Sequence, residues 1–386
     1  MSIDVRLLSN RDDALRLRDL VYGTYGLTYH RDIMYDPERL LERNRTQAIT
    51  SLIAIDSDTD RVVGHLALIR PWFEIADPLP AGRGPAVVEV GLSIVEPQRR
   101  GQQVQNTLAL AAVLDVGANN PELRGFYMKC LTSHPYSQRS ARRFLGRATA
   151  LFPAGVPAWV RADSAAKSAP SESARSESVA AEGAPTTTVL LHCPYREHAP
   201  REVPFPVAHV GMAEEIYGSL GLERRARPVR DTPGAVRGTR KDTRIATWFD
   251  GARRQGVVWV RETGGDLVEA ALDRVRWLLG GHMEHITLLL PLDSDAAARA
   301  VPALEAAGMF VGGLIPDLEG VDTLVLERVE AADTRLDGIG LVGEDAERLR
   351  DRVVAAWQRS RAITMAPALD APGRISPRPP AVPTAP

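Results

Sequence analysis

Cysteine, aromatic residues, net charge and long apolar segments are all scarce in this sequence of 386 residues. Its two cysteines, Cys130 and Cys193, lie in apolar contexts, and we expect reduced packing residues rather than a disulfide framework. The net charge of −2 gives no global field that would attract nucleic acid or an anionic membrane. No apolar run approaches the roughly 18 residues of a membrane-spanning helix, and Met1–Asn10 lacks a secretion signal pattern. We therefore expect a cytoplasmic protein.

The remaining composition is that of a globular protein with a real core. Hydrophobic residues make up 44% of the chain and charged residues 25%. A chain of this length favours two domains, or one domain with a large appendage.

The most informative stretch is Val87–Val113, which predicts a strand, a turn and a helix. The apolar, β-branched run from Val87 to Val95 is typical of a central strand, and Pro97 ends it because proline has no N–H to donate. After Gly101, apolar residues recur with helical spacing. A basic turn that opens a helix favours an anion, because free backbone N–H groups and the positive end of the helix dipole both point at it.

The same stretch resembles motif A of the GNAT acyltransferase superfamily, where an apolar strand precedes an Arg or Gln and a glycine-rich turn that opens a helix. Arg100 falls where the family has its Arg or Gln. The two glycines expected next fall on Gln103 and Gln105, a departure that matters because glycine lets the backbone approach phosphate closely. The alternative is an ordinary strand–turn–helix with a solvated arginine pair.

The resemblance implies acyl-coenzyme A as the donor substrate. In the family, the turn amides hold the pyrophosphate, the strand backbone pairs with the pantetheine arm, and a strand N–H donates to the oxyanion. The altered turn also makes an acyl group on a carrier-protein phosphopantetheine a candidate donor, because a carrier adds protein contacts of its own. Carried onto this sequence, the donor-binding residues are expected to be Leu92, Ser93, Ile94, Arg99, Arg100, Gly101, Gln102, Gln103, Val104 and Gln105.

The order of predicted elements in residues 1–195 also resembles the GNAT fold: a strand, two helices, three strands, a helix, a strand, a helix and two strands. We predict an α/β (α+β) GNAT fold with a mixed central sheet flanked by helices. Within it, Asp163–Pro185 is rich in Ser, Ala and Glu. This segment is expected to be a disordered loop, because it buries too little apolar area to offset the entropy of ordering.

Residues 200–362 repeat part of this plan, with a strand, a helix ended by Gly308 and two further strands near its end. No basic glycine turn follows a strand there. We therefore predict a degenerate second GNAT-like domain that binds no coenzyme. Pro367–Pro386 is predicted to be a disordered, Pro-rich tail.

Direct aminolysis of a thioester needs a base for the amine, a donor to the oxyanion and an acid for the thiolate. Glu89 is the first candidate base, because burial in an apolar strand would raise its pKa; the alternative is a carboxylate that faces solvent or pairs with an arginine. His134 is the second candidate, since a loop imidazole titrates near neutrality, and its alternative role is capping the next helix. Tyr136 is a candidate acid, although the family usually places its Tyr within that helix.

Other features have simpler interpretations. Tyr22, Tyr25 and Tyr29 either line an acceptor pocket or pack in the core. His282 and His285 lack a third ligand in the sequence, so no metal site is expected. The basic run from Arg224 to Arg230 is typical of a solvated loop, which could still receive an acidic partner such as a carrier protein. The oligomeric state cannot be read from the sequence.

The sequence favours an N-acyltransferase that moves an acyl group from acyl-coenzyme A, or from an acyl carrier protein, to the amine of a small molecule or peptide. Such an acceptor could belong to a natural-product pathway. The alternative is a non-catalytic tandem GNAT-like module that holds an acyl thioester or a protein partner. The missing glycines and the missing helix Tyr are the features that favour this alternative.

Overall fold

The computed structural model describes residues 3–27, 29, 31–72, 85–156, 186–196, 199–230, 242–330, 334, 336 and 339–365. The predicted disordered segments Asp163–Pro185 and Pro367–Pro386 lie outside these residues, so both stay predictions. None of the helices in the described ranges is long and apolar enough to cross a membrane.

The described residues of the first half contain seven strands, and its first two helices begin with side-chain caps. Asn10 accepts a hydrogen bond from the Asp13 amide, and Asp36 accepts one from the Arg39 amide. The elements are β1 (Ile3–Leu7), α1 (Arg11–Tyr25), α2 (Pro37–Arg45), β2 (Ile49–Asp56), β3 (Arg61–Ile69), β4 (Val87–Val95), α3 (Val104–Ala111), α4 (Gly117–Asn119), β5 (Gly125–Leu131), α5 (Tyr136–Arg143), β6 (Arg147–Val156) and β7 (Thr186–Pro194).

The second half also contains seven strands in its described residues. Its elements are β8 (Arg201–Pro206), α6 (Val210–Leu220), β9 (Arg224–Val229), β10 (Arg244–Asp250), β11 (Gln255–Glu262), α7 (Leu267–Gly280), β12 (His285–Pro291), α8 (Asp295–Ala306), β13 (Phe310–Leu318), β14 (Val321–Val329) and α9 (Glu344–Met365).

Twelve of these strands form one mixed sheet, in the order β1-β2-β3-β4-β5-β7-β6-β13-β14-β12-β11-β10. β8 and β9 pair separately in parallel. The halves meet where Gly313 of β13 pairs with Ala150 of β6. The order β6-β7-β5-β4-β3 in the first half matches β13-β14-β12-β11-β10 in the second. This symmetry supports the predicted second GNAT-like domain, which stays a prediction.

Helices cover the first-half sheet on both faces, as the fold-class prediction requires. One core packs α1 and α2 against β2, β3 and β4, with Leu17 and Ile53 fully buried. A second core packs α3 on the opposite face through Val104 and Leu108. The predicted α/β GNAT architecture of the first half is therefore confirmed by its element order, sheet order and layering.

The two halves also share a core on what we call the inner face, the sheet side that carries Val87, Tyr127, Phe152, Trp259 and Ile315. These five residues come from β4, β5, β6, β11 and β13, so both halves contribute to one apolar layer. Residues two positions along each strand share this face, because side chains alternate across a strand.

One prediction about local structure is wrong. The run from Arg224 to Arg230 was expected to be a solvated loop, but residues 224–229 form β9. Local sequence shows charge, whereas the partners that let an arginine be buried come from distant strands.

Arg224 is the centre of a buried ion network. Its guanidinium lies 2.5 Å from Asp317 and also bonds to Asp322. Asp322 accepts further hydrogen bonds from Arg201 (2.5 Å) and from the Tyr217 hydroxyl (2.7 Å). Burial, and then the charge of Asp322, raise the pKa of Tyr217 above its usual range. The network fastens β8, α6 and β9 onto the β13–β14 hairpin.

The change Asp322→Ala is expected to lower the free energy of unfolding by about 3–5 kcal/mol, because it leaves buried guanidinium charge without its main counter-ion. The matched control is Glu215→Ala, which removes the exposed pair with Arg352 and is expected to cost below about 1 kcal/mol. Guanidinium chloride unfolding of the full chain measures both. Equal losses for the two variants would contradict the role given to the network.

Candidate active site

β4 separates from β5 partway along its length. The two strands pair in parallel only at Val87–Gly125, Val88–Phe126 and Glu89–Tyr127. Beyond that point β4 stays with β3 as far as Val95, while β5 stays with β7 as far as Leu131. A wedge therefore opens after Glu89, and backbone N–H and C=O groups on that side of β4 lose their strand partner.

A β-bulge lies in β4 directly beyond the start of this wedge. The register with β3 shifts between the pairs His65–Ile94 and Ala67–Gly91, so β4 has an extra residue there. Leu92 adopts a left-handed conformation with a φ of +50°. A non-glycine residue in this conformation is strained, and such strain is commonly kept at functional sites.

A buried histidine holds the bulge in place. His65 Nδ1 lies 2.7 Å from the Leu92 carbonyl oxygen. Burial lowers the pKa of His65 to about 4, so the ring is neutral near pH 7, and the contact requires that Nδ1 carry the proton and donate it. Nε2 is buried without a hydrogen-bond partner among the described residues. Because N–H and C=O point in opposite directions in a trans peptide, the Ser93 N–H points away from His65.

The basic turn that is predicted to bind an anion follows β4, and we call residues 99–105 the cradle. Gly101 and Gln103 both have left-handed φ values, of +82° and +64°. Gln103 precedes the first helical residue of α3, Val104, and no side chain caps this helix. Among the described residues, the backbone N–H groups of Gln103, Val104 and Gln105 have no backbone acceptor. Gln103 thus takes the backbone conformation that glycine takes most easily.

The two arginines of the turn have different surroundings. Arg99 pairs with the buried carboxylate of Asp56 and lies 3.8 Å from Glu96. This guanidinium therefore braces the turn against the end of β2. Arg100 is exposed, and its charge acts against the burial that raises the pKa of Tyr25. Of the pair, Arg100 is the one placed on the surface of the cradle.

Glu89 lies at the point where the wedge opens, and it has close partners. Its carboxylate is 3.4 Å from the Lys129 ammonium and accepts a hydrogen bond of 3.3 Å from the Tyr127 hydroxyl. The side chain keeps 13% of its surface exposed. Glu89 is thus a mostly buried strand carboxylate paired with a cation, which is closer to the paired-carboxylate alternative, and its role as a base stays a prediction. Its cationic partner is a lysine, which sequence reasoning did not consider.

Lys129 extends from β5 into a group of aromatic rings on the inner face. Its Nζ lies 4.5 Å from the centroid of the Trp72 ring, 5.4 Å from Phe152 and 5.9 Å from Tyr127. Each ring is within the distance at which an ammonium is attracted to the face of an aromatic ring.

The second half of the chain borders this group. The Trp259 ring lies 6.1 Å from Trp72, and Arg261 stacks 4.0 Å above Trp259. Glu319 joins the halves, because it accepts hydrogen bonds from both Arg70 (2.6 Å) and Arg261 (2.7 Å). The surroundings of Glu89 and Lys129 are thus built by both halves.

His134 and Tyr136 lie beyond the end of β5 and contact each other, with ring centroids 5.5 Å apart. Burial lowers the pKa of His134, and its Nδ1 is buried without a partner among the described residues. Tyr136 is 73% exposed. Within the described part of the chain, no hydrogen bond or ion pair joins either residue to Glu89. Glu89 therefore lies next to the bulge, whereas His134 and Tyr136 have no direct polar contact with Glu89 among the described residues.

The four tyrosines between Tyr22 and Tyr35 pack in pairs. Ring centroids are 5.0 Å apart for Tyr22 and Tyr35, and 4.8 Å apart for Tyr25 and Tyr29. The Tyr35 hydroxyl donates to the Gly26 carbonyl. Three of the four also pack on the core of α1 and α2. Core packing thus accounts for their contacts, and an acceptor-pocket role stays a prediction.

The part of the second half that corresponds to the wedge differs from it in strand pairing, in the charge at the helix N-terminus and in the contact of its histidine. β11 pairs with β12 over five residue pairs, from Gln255–His285 to Trp259–Leu289. Asp266 stands at the N-terminus of α7, where its carboxylate would repel an anion. His285 Nε2 lies 2.6 Å from the buried carboxylate of Glu327, so this histidine has a structural partner.

Sequence reasoning missed two residues of the site. His65 is one histidine within an apolar strand, and only the register of β3 against β4 places it under the bulge. Lys129 had a signal that could have been used, because a lysine in the apolar strand segment GFYMKCL is unusual.

No family model and no characterised protein sequence matches the chain. The structural comparison finds chains that are similar over about half of this one. A putative GNAT-family acetyltransferase from Desulfovibrio desulfuricans is 16% identical, with a TM-score of 0.36, and covers 50% of this chain and 100% of its own. A ribosomal-protein-S5-alanine acetyltransferase from Vibrio fischeri is 11% identical, with a TM-score of 0.36, and covers 52% and 97%.

An aminoglycoside 6′-N-acetyltransferase complexed with coenzyme A is 14% identical, with a TM-score of 0.33, and covers 51% of this chain and 99% of its own. The fold assignment rests on the chain's own strand order, bulge and wedge. The first half of the chain has the GNAT fold.

Proposed function

We propose that this protein is an N-acyltransferase that moves an acyl group from acyl-coenzyme A to an amine by direct attack. The observation that carries the proposal is the wedge between β4 and β5. Three paired positions hold the strands together up to Glu89, and both strands then continue with their other neighbours. A pantetheine arm carries amide groups that can pair with the backbone left free on β4.

The cradle at the start of α3 suits the other end of such a donor. The amides of Gln103, Val104 and Gln105 are free of backbone acceptors among the described residues, and the dipole of α3 adds positive polarity. Arg100 supplies a full charge on the surface of the turn. These groups favour a pyrophosphate. The substitution of Gln for Gly at position 103 is accommodated, because Gln103 already has the left-handed conformation.

The bulge provides the oxyanion donor in this proposal. The hydrogen bond from His65 holds the Leu92 carbonyl oxygen towards β3. Because N–H and C=O point in opposite directions in a trans peptide, the Ser93 N–H then points away from His65. A fixed N–H at the wedge can stabilise the charge that develops on the thioester oxygen. The strained Leu92 conformation is what directs this peptide.

Glu89 is the proposed base, because it stands at the mouth of the wedge with part of its surface open to solvent. His134 is kept as the second candidate base and Tyr136 as the candidate acid, both at the end of β5. The acceptor would approach along the inner face, between the two halves. A carrier-protein thioester is the second candidate donor, since its phosphopantetheine arm presents the same chemistry to the wedge. Cytoplasmic location remains part of the proposal.

Thermal unfolding of the full chain with and without acyl-coenzyme A tests the proposal. Saturating acetyl- or long-chain acyl-coenzyme A is expected to raise the melting temperature, because a ligand that binds only the folded state stabilises it. The same samples are assayed for thiol release with a set of amines. Glu89→Gln is expected to lower kcat by about 100-fold or more at little cost in donor affinity.

The matched variant for this test is His134→Ala. If Glu89→Gln keeps full turnover and His134→Ala loses it, the base assignment moves to His134. Absence of stabilisation by every acyl-coenzyme A, together with no binding to an acylated carrier protein, would refute the acyl-transfer proposal.

Glycine at position 103 is expected to stabilise the protein. Gln103→Gly relieves a left-handed conformation that costs a non-glycine residue roughly 1 kcal/mol, and it leaves the cradle amides in place. The free energy of unfolding should rise by about 0.5–1 kcal/mol with donor affinity kept or improved. Gln105→Gly is the control, since position 105 is helical and glycine should destabilise it. Denaturant unfolding and acetyl-coenzyme A titration measure both variants, and a destabilised Gln103→Gly would contradict the assignment.

Loss of the His65 hydrogen bond is expected to lower kcat rather than donor affinity. His65→Leu removes the donor to the Leu92 carbonyl, so the Ser93 N–H is no longer fixed, and kcat should fall about 100-fold. His65→Asn retains an N–H near the position of Nδ1 and should recover much of that loss. Steady-state kinetics and coenzyme A binding are compared across the three proteins, and unchanged kcat in His65→Leu would refute this role.

Protonation of His65 is expected to make the free energy of unfolding depend on pH. The pKa of His65 is 6.5 when unperturbed and about 4 in the folded protein, so between these values the unfolded chain binds a proton that the folded chain does not. The wild-type stability should therefore fall as the pH drops from 6.5 towards 4, by up to about 3 kcal/mol. His65→Asn should lack this part of the pH dependence.

A further inference from the structure

The chain contains almost no lysine. Of its 47 basic residues only three are lysines, at positions 129, 167 and 241, and the rest are arginines. Lys129 is the only one of the three within the residues that the structure describes. A sequence that uses arginine nearly everywhere else therefore keeps a lysine on β5, beside the candidate base.

Lys129 stands at the mouth of the wedge. Tyr127 belongs to the last pair that joins β5 to β4, and Lys129 is two residues further on, where β5 has only β7 beside it. Its side chain lies on the inner face with Glu89, 3.4 Å from that carboxylate, and 26% of its surface is exposed. The acyl end of a thioester bound in the wedge would lie on this face, next to the Lys129 amine.

The contacts of Lys129 do not by themselves explain a lysine. It pairs with a carboxylate and lies over aromatic rings, and arginine meets both needs at least as well. The chain itself uses arginine over aromatic rings at Arg261 on Trp259 and at Arg196 on Tyr195. What lysine offers and arginine does not is an amine that can lose its proton and become a nucleophile.

The ionisable groups facing Lys129 are arranged to accept that proton. Glu89 is the nearest, and the more distant Glu327 feels the charge of Lys129. Burial raises the pKa of Glu327, although His285, Thr287 and, more weakly, Lys129 act against it. Glu89 is therefore the carboxylate in direct contact with the amine.

We infer that Lys129 is an internal acyl acceptor: the protein acylates its own Lys129 from the thioester bound in the wedge. This inference rests on the proposed function, because it needs the donor to lie between β4 and β5. The acylated side chain is neutral and less polar, so the ring group of Trp72, Tyr127 and Phe152 can hold it.

The reaction balances without any further reagent. Glu89 takes one proton from the Lys129 ammonium, and the Nζ lone pair then forms a bond to the thioester carbonyl carbon. The carbon–sulfur bond breaks, and the thiolate receives the second nitrogen proton. The products are an amide on Lys129, a free thiol and one proton released through Glu89. Since an amide is far less reactive than a thioester, the product is a stable modification of the protein.

Mass spectrometry of the full chain after incubation with acetyl-coenzyme A tests this inference. We expect the mass of one acetyl group, mapped by peptide sequencing to Lys129. Labelling of Lys129 should be at least about 100-fold faster than labelling of Lys167 or Lys241, which report the uncatalysed reaction in the same molecule. The rate per molecule should not depend on protein concentration, because the acceptor belongs to the same chain.

Two variants and one condition serve as controls. Lys129→Arg keeps the cation beside Glu89 but offers no nucleophile, so it should take up no fast label. Glu89→Gln removes the base and should slow labelling of Lys129 by about 100-fold or more. In chemically unfolded protein the preference for Lys129 should disappear, because the wedge and the contact with Glu89 are lost.

The outcomes separate this inference from the proposed function. If acetyl-coenzyme A stabilises the protein and added amines are acylated while Lys129 stays unlabelled, the inference is wrong and the proposed function stands. If Lys129 is labelled no faster than Lys167 and Lys241, the inference is equally wrong. If acetyl-coenzyme A neither stabilises the protein nor labels Lys129, both fail.

Discussion

The backbone hydrogen bonds of β4 are the constraint on which the rest of the site depends. A central strand normally satisfies its N–H and C=O groups on both sides, and β4 does so only as far as Glu89. Beyond Glu89 its second side must find water or a ligand. The bulge at Leu92, the His65 contact and the left-handed turn at Gln103 all fall on the stretch that follows. Strain and free backbone groups are thus concentrated in one short segment.

The second half of the chain contributes to the surroundings of this site. Its strands continue the sheet beyond the Ala150–Gly313 pair. Its residues Trp259 and Ile315 pack on the inner face with residues of the first half. Glu319 ties the halves together through Arg70 and Arg261. The corresponding strands β11 and β12 pair over a longer stretch, and Asp266 stands at the start of α7. This half places Trp259, Arg261 and Glu319 around Glu89 and Lys129.

The fold of the first half could be predicted from sequence because its signals are local. The apolar run from Val87 to Val95, the stop at Pro97 and the helical spacing after Gly101 each depend on neighbouring residues alone. Glu89 was proposed as a candidate base on the same local grounds, whereas the donor-binding role of the turn residues around Gln103 comes from the family resemblance, and both stay predictions. Arg224 was misjudged, because its charge is local information whereas its partners Asp317 and Asp322 are about a hundred residues away.

The sequence by itself therefore determined the order of strands and helices in the first half, and it predicted a positively polarised turn after the central strand. Tertiary structure alone decided where β4 leaves β5, that His65 lies under the bulge, and that Lys129 touches Glu89 inside a group of aromatic rings. The physical reason is that strand register and the packing of two halves are set by contacts between distant segments. Periodicity along the chain reports which face a residue takes, but not which residue it meets there.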